Sequence, residues 1–463
     1  MTRNEINGFI HDLERKYPVA EWSYNGMDIW PLIKVDLFFR LHRTYHKSNS
    51  VIARPQTVFK RLSGIVQNTV YAIANYFRLQ FHTSSIETIY CGAAAHRSMT
   101  TEGFVNRFFY PLIRSKPENS CLELEYGRKS QHKYPDSANI LFLDQLYYLF
   151  KIRNTFRVFE RNFQPAEFDS FYDEIQRHIR ISYYEYVKLI RSRMRFIITC
   201  SDMFSWIFKT VKPASVYGLC YYSDEMFGMH YAANRLGIAN YDMQHGGQGP
   251  LHNMYNYSAT KDRGYNILPE TFLCWDESSA ETLRTWTDST FHKVIVSGNP
   301  WIDYVRSMAG KYRLPAGRLI LFTLQDTIPE DYIFDAIENS VDTYHWWFKL
   351  HPAHTSIQRD IATELAKRKL TGKVFLDEND NIPLPVLLAK ACVHISGFSG
   401  SILEAAIQQT PTIIIHPLGV ENFEPLIQSG QAFSCLTKQA KRLVAAIDTC
   451  SLPHVVENNI KIK

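Results

Sequence analysis

In the second half of the chain, short apolar runs alternate with longer amphipathic stretches. "RLILFTL" (318–324), "WWFKL" (346–350), "KVFL" (373–376), "CVHIS" (392–396) and "PTIIIH" (411–416) read as buried strands. Between and after them, "PEDYIFDAIENS", "SIQRDIATELAKRKL", "PLPVLLAKA", "GSILEAAIQQ" and "KQAKRLVAAIDTC" read as helices. Continuous apolar strands alternating with helices predict a parallel sheet covered on both faces. The pattern sets a doubly wound domain over 306–463.

The first half repeats the scheme less regularly. "ETIYCG" (87–92), "CLELEYG" (121–127), "SVYGLCYY" (215–222), "IANYDMQ" (238–244), "TFLCWD" (271–276) and "KVIVSG" (293–298) read as strands. "GFVNRFFYPLIRS" (103–115) reads as a helix, as does "SDEMFGMHYAANRLG" (223–237), with Gly237 as its stop. Residues from about 140 to 212 are mostly helical by their periodic Tyr, Phe and Arg positions. Together these give an N-terminal α/β domain, 1–305, with a helical insertion, joined to the C-terminal domain near 303–317.

The length of 463 residues agrees with this, being too great for one ordinary core. The chain opens on a polar, mixed-charge segment with no apolar stretch of signal-peptide type, and no window is apolar enough to span a bilayer. Its eight cysteines form no CxxC pair and no cluster with histidine, which predicts reduced thiols, a cytoplasmic setting and no zinc site. The net charge of +5 is mild but uneven: residues 37–86 hold no acidic residue, and Arg40, Arg43, Lys47, Arg54, Lys60, Arg61 and Arg78 fall there among Phe and Tyr. Such a basic, aromatic segment suits the anionic cytoplasmic face of an inner membrane, or a solvated helical face. Nothing resembles a groove-reading or base-stacking module, so nucleic acid is not an expected partner.

In a doubly wound sheet, ligands sit beyond the carboxyl ends of the strands. Polar residues gather there. Gln325 follows the first strand of the second domain; His351, Pro352 and His354 follow the next; "SGFSGSILEAA" (396–406) follows "CVHI". The serine- and glycine-rich turn, with Ser396, Ser399, Gly400 and Ser401, leads into a helix and fits a phosphate, or is an ordinary capped helix start. Glu404 lies about one turn further on and could accept from ribose hydroxyls. In the first domain "DMQHGGQG" places Asp242, Gln244, His245 and Gly246 at a strand end, with Asp242 and Gln244 on one face by strand alternation. "CGAAAHRSMTTEG" places His96 and Arg97 at another.

An HP turn followed by S-G-x-S-G-S-x-x-E-A resembles the donor-binding half of GT-B glycosyltransferases, especially those that use CMP-activated sugars. "VIVSGNPWIDYV" (294–305) is similar to the hinge of GT-B-like sugar-nucleotide enzymes. "QHG", "EWSYNGMDIWPLIK" and "VNRFFYPLI" resemble bacterial capsule and lipopolysaccharide enzymes, including Kdo transferases. The resemblance implies two Rossmann-like domains facing a cleft, a nucleotide-sugar donor (a CMP-linked acidic sugar such as Kdo) and a glycan or glycolipid acceptor.

The resemblance further implies that His351, with Pro352 fixing its turn, Ser396, Ser399, Gly400 and Ser401 hold the nucleotide phosphate, that Glu404 bonds the ribose, and that Gln325 lies beside the nucleotide. A retaining enzyme of this group would use a nucleophilic Asp, for which Asp242 is the first candidate and Asp224 the second. An inverting one would use a base, with Glu123, Glu125 and His96 as candidates. His245 is a candidate acid, base or carboxylate ligand; Gln244, Gly246, His96 and Arg97 are candidates for sugar or acceptor contact. Tyr221, Tyr222 and Trp301 could stack on sugar rings. No DxD motif is present and no metal cofactor is expected. CDP-glycerol-type transferases, sugar-nucleotide 2-epimerases and a non-catalytic scaffold share the same outline.

Overall fold

The computed structural model describes residues 1–46, 73–77, 79, 86–100, 102–127, 139–155, 163–288, 291–324, 327–350, 357–376 and 382–452. Most of the basic 37–86 segment, and Gln325, His351 and Pro352, lie outside these. The chain divides into two compact units. Unit 1 is built from described residues of Met1–Arg97, Phe108–His132 and Asp136–Gly298, and unit 2 from those of Ser98–Arg107 and Asn299–Lys463. The division falls between Gly298 and Asn299, where Asn299 caps a helix, Pro300–Ser307, that belongs to unit 2. The expected boundary lay after residue 305.

Two short strands, β1 (Ser23–Tyr24) and β2 (Met27–Asp28), form a hairpin near the N-terminus. The main sheet of unit 1 contains β3 (Thr88–Ala93), β6 (Cys121–Tyr126), β7 (Ile140–Phe142), β8 (Ser215–Leu219), β9 (Ala239–Met243), β10 (Thr271–Cys274) and β11 (Lys293–Val296). Their order is β11-β10-β9-β8-β3-β6-β7, and every pairing is parallel. The chain therefore runs outward from β3 through β6 and β7, then returns to the other side of β3 through β8. The switch point lies between β3 and β8.

Two helices show why this sheet is buried. Tyr183–Val211 opens with a capping box between Ser182 and Glu185, and Asp224–Leu236 is capped by Ser223 and closed by Gly237 at φ 66°. They pack backbone to backbone, because a Cβ on Gly228 would collide with Cys200 and the Ile197 carbonyl. Cys200, Phe204, Met226, Met229 and Val216 fill the core beside them.

Unit 2 repeats the plan with β12 (Leu319–Thr323), β13 (His345–Lys349), β14 (Val374–Leu376), β15 (Ala391–Ser396), β16 (Thr412–Ile414) and β17 (Ala432–Ser434). The order β14-β13-β12-β15-β16-β17, again all parallel, puts its switch point between β12 and β15. All five residues of β12 are buried, as a central strand covered on both faces requires. Two doubly wound α/β units in one chain are the constituents of the GT-B fold.

One expected element is different. Residues 103–115 are not one helix: β4 (Arg97–Thr100) and β5 (Gly103–Asn106) form a two-stranded sheet, and only Tyr110–Arg114 is helical. Val105, Phe108 and Phe109 mimic a helical spacing while packing from a strand and a turn. All eight cysteines are free thiols. Among the described residues no helix is long and apolar enough to cross a membrane, and no cluster of His, Cys, Asp and Glu could hold a metal ion.

Candidate functional site

In unit 2 the switch point is built around one buried hydroxyl. Thr323, the last residue of β12, donates to Ser396 Oγ at 2.9 Å and lies 2.9 Å from His394 Nε2 and 3.0 Å from Ser401 Oγ. His394 Nδ1 lies 3.1 Å from Thr412 Oγ1, and burial pushes this imidazole's pKa down to about 3, so it is neutral. Ser396 and Ser401 are therefore turned into the sheet and hold the Gly397–Gly400 turn in place. Neither hydroxyl is presented to a ligand, contrary to expectation. Ser399 Oγ accepts from the Ser401 N–H at 3.3 Å, and Gly400 caps the helix Ser401–Ile407 through its backbone alone.

Glu404 lies in that helix, half-exposed at the surface of the residue as a whole, with its carboxyl deep enough for burial to raise its pKa. Arg107, at the end of the β4–β5 segment, opposes that rise. The same segment is tied to unit 2 by Glu102, which accepts from Tyr304 Oη at 3.0 Å and sits 3.9 Å from Lys311 Nζ. Arg107 was not singled out from the sequence, where it looks like one more basic residue in an aromatic run. A Cβ on Gly419 would run into the Gly397 carbonyl oxygen, so glycine is required there to let the following helix Pro417–Asn422 approach the turn.

In unit 1 the residues after β3, β8 and β9 meet. The imidazoles of His96 and His245 lie 5.7 Å apart between ring centroids, and Tyr222 Oη is 3.4 Å from His245 Nε2. His96 is oriented by the Ala93 N–H, donated to its Nδ1 at 3.2 Å. These groups are partly exposed and sit around the β3/β8 switch point, and His96 is more than a hundred residues from the other two in sequence. Beside Tyr222, at 5.6 Å between ring centroids, the partly buried His252 has its pKa lowered to about 3, first through burial and then through Arg3 and His245.

Other candidates have different work. Asp242 is 1% exposed, and burial pushes its pKa well above the carboxylate range, opposed by the Tyr221 N–H that it accepts at 3.1 Å. Enclosed in the core and holding the Tyr221 N–H, Asp242 is a structural carboxyl at the end of β9 rather than an accessible nucleophile, which differs from its expected role. Gln244 is also corrected: its amide donates to the Gly246 carbonyl at 2.8 Å and Ser279 Oγ at 3.1 Å and accepts the Trp275 N–H at 2.7 Å, leaving no atom for a sugar. Asp242, Met243 and Gln244 are all buried, because both faces of β9 are covered and alternation exposes neither. Gly246 has open space where a Cβ would stand.

Arg97 and Glu125 are expected as ligand-binding and catalytic groups, and instead neutralise each other. Arg97 Nη2 lies 2.7 Å from Glu123 Oε2, its Nε donates to Glu125, and all three are buried. The glutamates are on one face of β6, and Arg97 lies at the start of β4. Asp224 is gripped by Arg193 at 2.6 and 3.0 Å, which removes it as a free nucleophile. Tyr221 and Trp301 are core residues, while Tyr222 stands beside His245.

No protein-family model matches the chain. No curated protein matches it either. Among solved structures it is similar to a UDP-N-acetylglucosamine 2-epimerase at 14% identity and TM-score 0.48, over 81% of this chain and 90% of that one. It is also similar to the UDP-GlcNAc 2-epimerase from Neisseria meningitidis bound to UDP-GlcNAc (14%, 0.45, 80% and 93%). A third is CalG4, the calicheamicin glycosyltransferase (11%, 0.45, 81% and 92%). Likeness of this degree decides nothing about the reaction, and the neighbours themselves divide between two reactions.

Proposed function

We propose that the chain is a glycosyltransferase that moves a sugar from a nucleotide donor to a glycan. The observation that supports this most is the placement of chemistry in both units. Each doubly wound sheet gathers polar residues at the carboxyl side of its switch point, where such sheets bind ligands.

In unit 2 the backbone N–H groups of the Gly397–Gly400 turn would meet the nucleotide phosphate, with Ser396 and Ser401 acting as anchors of that turn. Glu404 would accept from the ribose, and Arg107 beside it would supply positive charge. In unit 1 His245 and His96 are the groups able to exchange a proton with a reacting hydroxyl. The donor reading is a CMP-linked acidic sugar such as Kdo, resting on the likeness of the 396–406 motif to CMP-sugar enzymes. The glycan is read as a bacterial surface polysaccharide, lipid-linked where the basic segment meets the membrane; Phe39 and Phe77, in its described part, are exposed. No metal takes part in this reading.

The test is turnover. The full chain is incubated with CMP-, UDP- and GDP-sugars and a mixture of surface-glycan oligosaccharides, and nucleotide release and glycan mass are measured. Release of CMP with a glycan mass gain of one sugar supports the proposal. Epimerised sugar with no transfer makes the protein an epimerase, and no turnover of any donor leaves a scaffold.

A further inference from the structure

Unit 1 contains a cavity of about 580 Å³ beside the β8-to-helix turn, lined among others by Asp36, Phe39, Arg43, Phe196, Tyr222 and Glu225. Of the groups described above, Tyr222, Asp224 and Arg193 also line it, and the Tyr222 hydroxyl, 3.4 Å from His245 Nε2, joins the cavity to the histidine pair. Its size suits one or two pyranose rings.

The charges in its wall are arranged unequally. Arg193 is spent on Asp224 and lies 3.6 Å from Asp36, which also takes Arg40 at 2.5 Å. Glu225 lines the same wall and has no ionic partner among the described residues. Burial is the main cause that raises its pKa, with Asp224 and Asp144 adding to the rise and Arg193 opposing it. Next to Asp36 and Arg193, the fully buried Tyr186 hydroxyl has no hydrogen-bond partner among the described residues. Phe39, 44% exposed, supplies an aromatic wall and is held edge-on against the buried Phe38 at 5.5 Å between centroids.

These features favour one ligand class. Asp36 and Asp224 are each met by arginine, and the remaining wall charges, Glu225 and Arg43, are of opposite sign, so an anion that gained Arg43 would be set against Glu225 and the wall holds no surplus charge for a charged ligand. A purely apolar ligand would strand the same carboxylates. A neutral sugar supplies hydroxyls to a carboxylate and C–H faces to aromatic rings. We infer that this cavity binds a neutral sugar ring, with Glu225 accepting its hydroxyls and Phe39 packing against its face. Calling that sugar the acceptor rests on the transferase reading, whereas the binding itself does not.

The experiment is saturation-transfer NMR on the full chain with methyl glucoside, methyl galactoside, glucuronate and inorganic phosphate, repeated with Phe39→Ala and Glu225→Gln. Both residues are surface-accessible, and an unchanged circular dichroism spectrum and melting temperature in each variant check that the fold is intact. The expected result is binding of a neutral glycoside over glucuronate and phosphate, weakened about tenfold by each variant. Absence of neutral-sugar binding, binding by either variant as strong as by the unsubstituted chain, or stronger binding of the anions would overturn it. If neutral sugar binds while no nucleotide does, the cavity assignment stands and the transferase reading falls; the reverse result removes only the cavity assignment.

Discussion

Replacing Arg97 by Met should unfold unit 1 far more readily than it alters any ligand. Arg97 is buried between Glu123, at 2.7 Å, and Glu125, each on a strand covered on both faces. Burial already raises the Glu123 pKa, and Arg97 is the first cause that opposes it. Without the guanidinium two carboxylates share one dry site, and losing one partner of a buried pair costs ~3–5 kcal/mol. That is a large part of a typical domain stability of ~5–15 kcal/mol. A folded-state pKa above the unfolded one means that the native state holds the proton more tightly, so stability rises as pH falls through the folded value. The variant should therefore regain part of its loss as pH is lowered from neutrality toward the ordinary carboxylate range, and Arg97→Met with Glu123→Gln and Glu125→Gln should regain more. Calorimetric melting of the full chain across that range gives the answer. A loss below about 1 kcal/mol, flat with pH, would refute the structural role and return Arg97 to the ligand-binding candidates.

Further outcomes follow from the same structure. Thr323→Val leaves Ser396, Ser401 and His394 short of a partner, and should cost ~1–3 kcal/mol in unit 2 and weaken nucleotide binding, read by melting and titration. Gly419→Ala should push the Gly397 carbonyl and lower nucleotide affinity about tenfold with the circular dichroism spectrum unchanged. Turnover should persist in excess EDTA, and strict dependence on an added divalent ion would remove the metal-free reading.

The strands of both sheets were legible because central parallel strands are continuously apolar, as "LILFT" and "ACVHIS" are. The strand-end turns were legible for the same reason, since their polar residues stand out against those runs. Which of those polar residues face outward was not. Ser396 and Ser401 turn inward because Thr323 stands opposite them, and that neighbour is set by the register of β12 on β15. The same holds for Arg97, whose partners lie on a strand more than twenty residues away. Glu225 passed unnoticed because an acidic pair in the first turn of a helix is ordinary capping chemistry, and only the ion pair of Asp224 with Arg193 separates the two.

The central claim is that unit 2 binds a nucleotide at the turn between β15 and the helix that follows. It is tested most directly by calorimetric titration of the full chain with CMP, CDP, UDP and GDP, repeated with Glu404→Ala. The account predicts binding of CMP in preference to the others, weakened about tenfold or more by the variant. Binding of none of the four, or binding unchanged by Glu404→Ala, would contradict it.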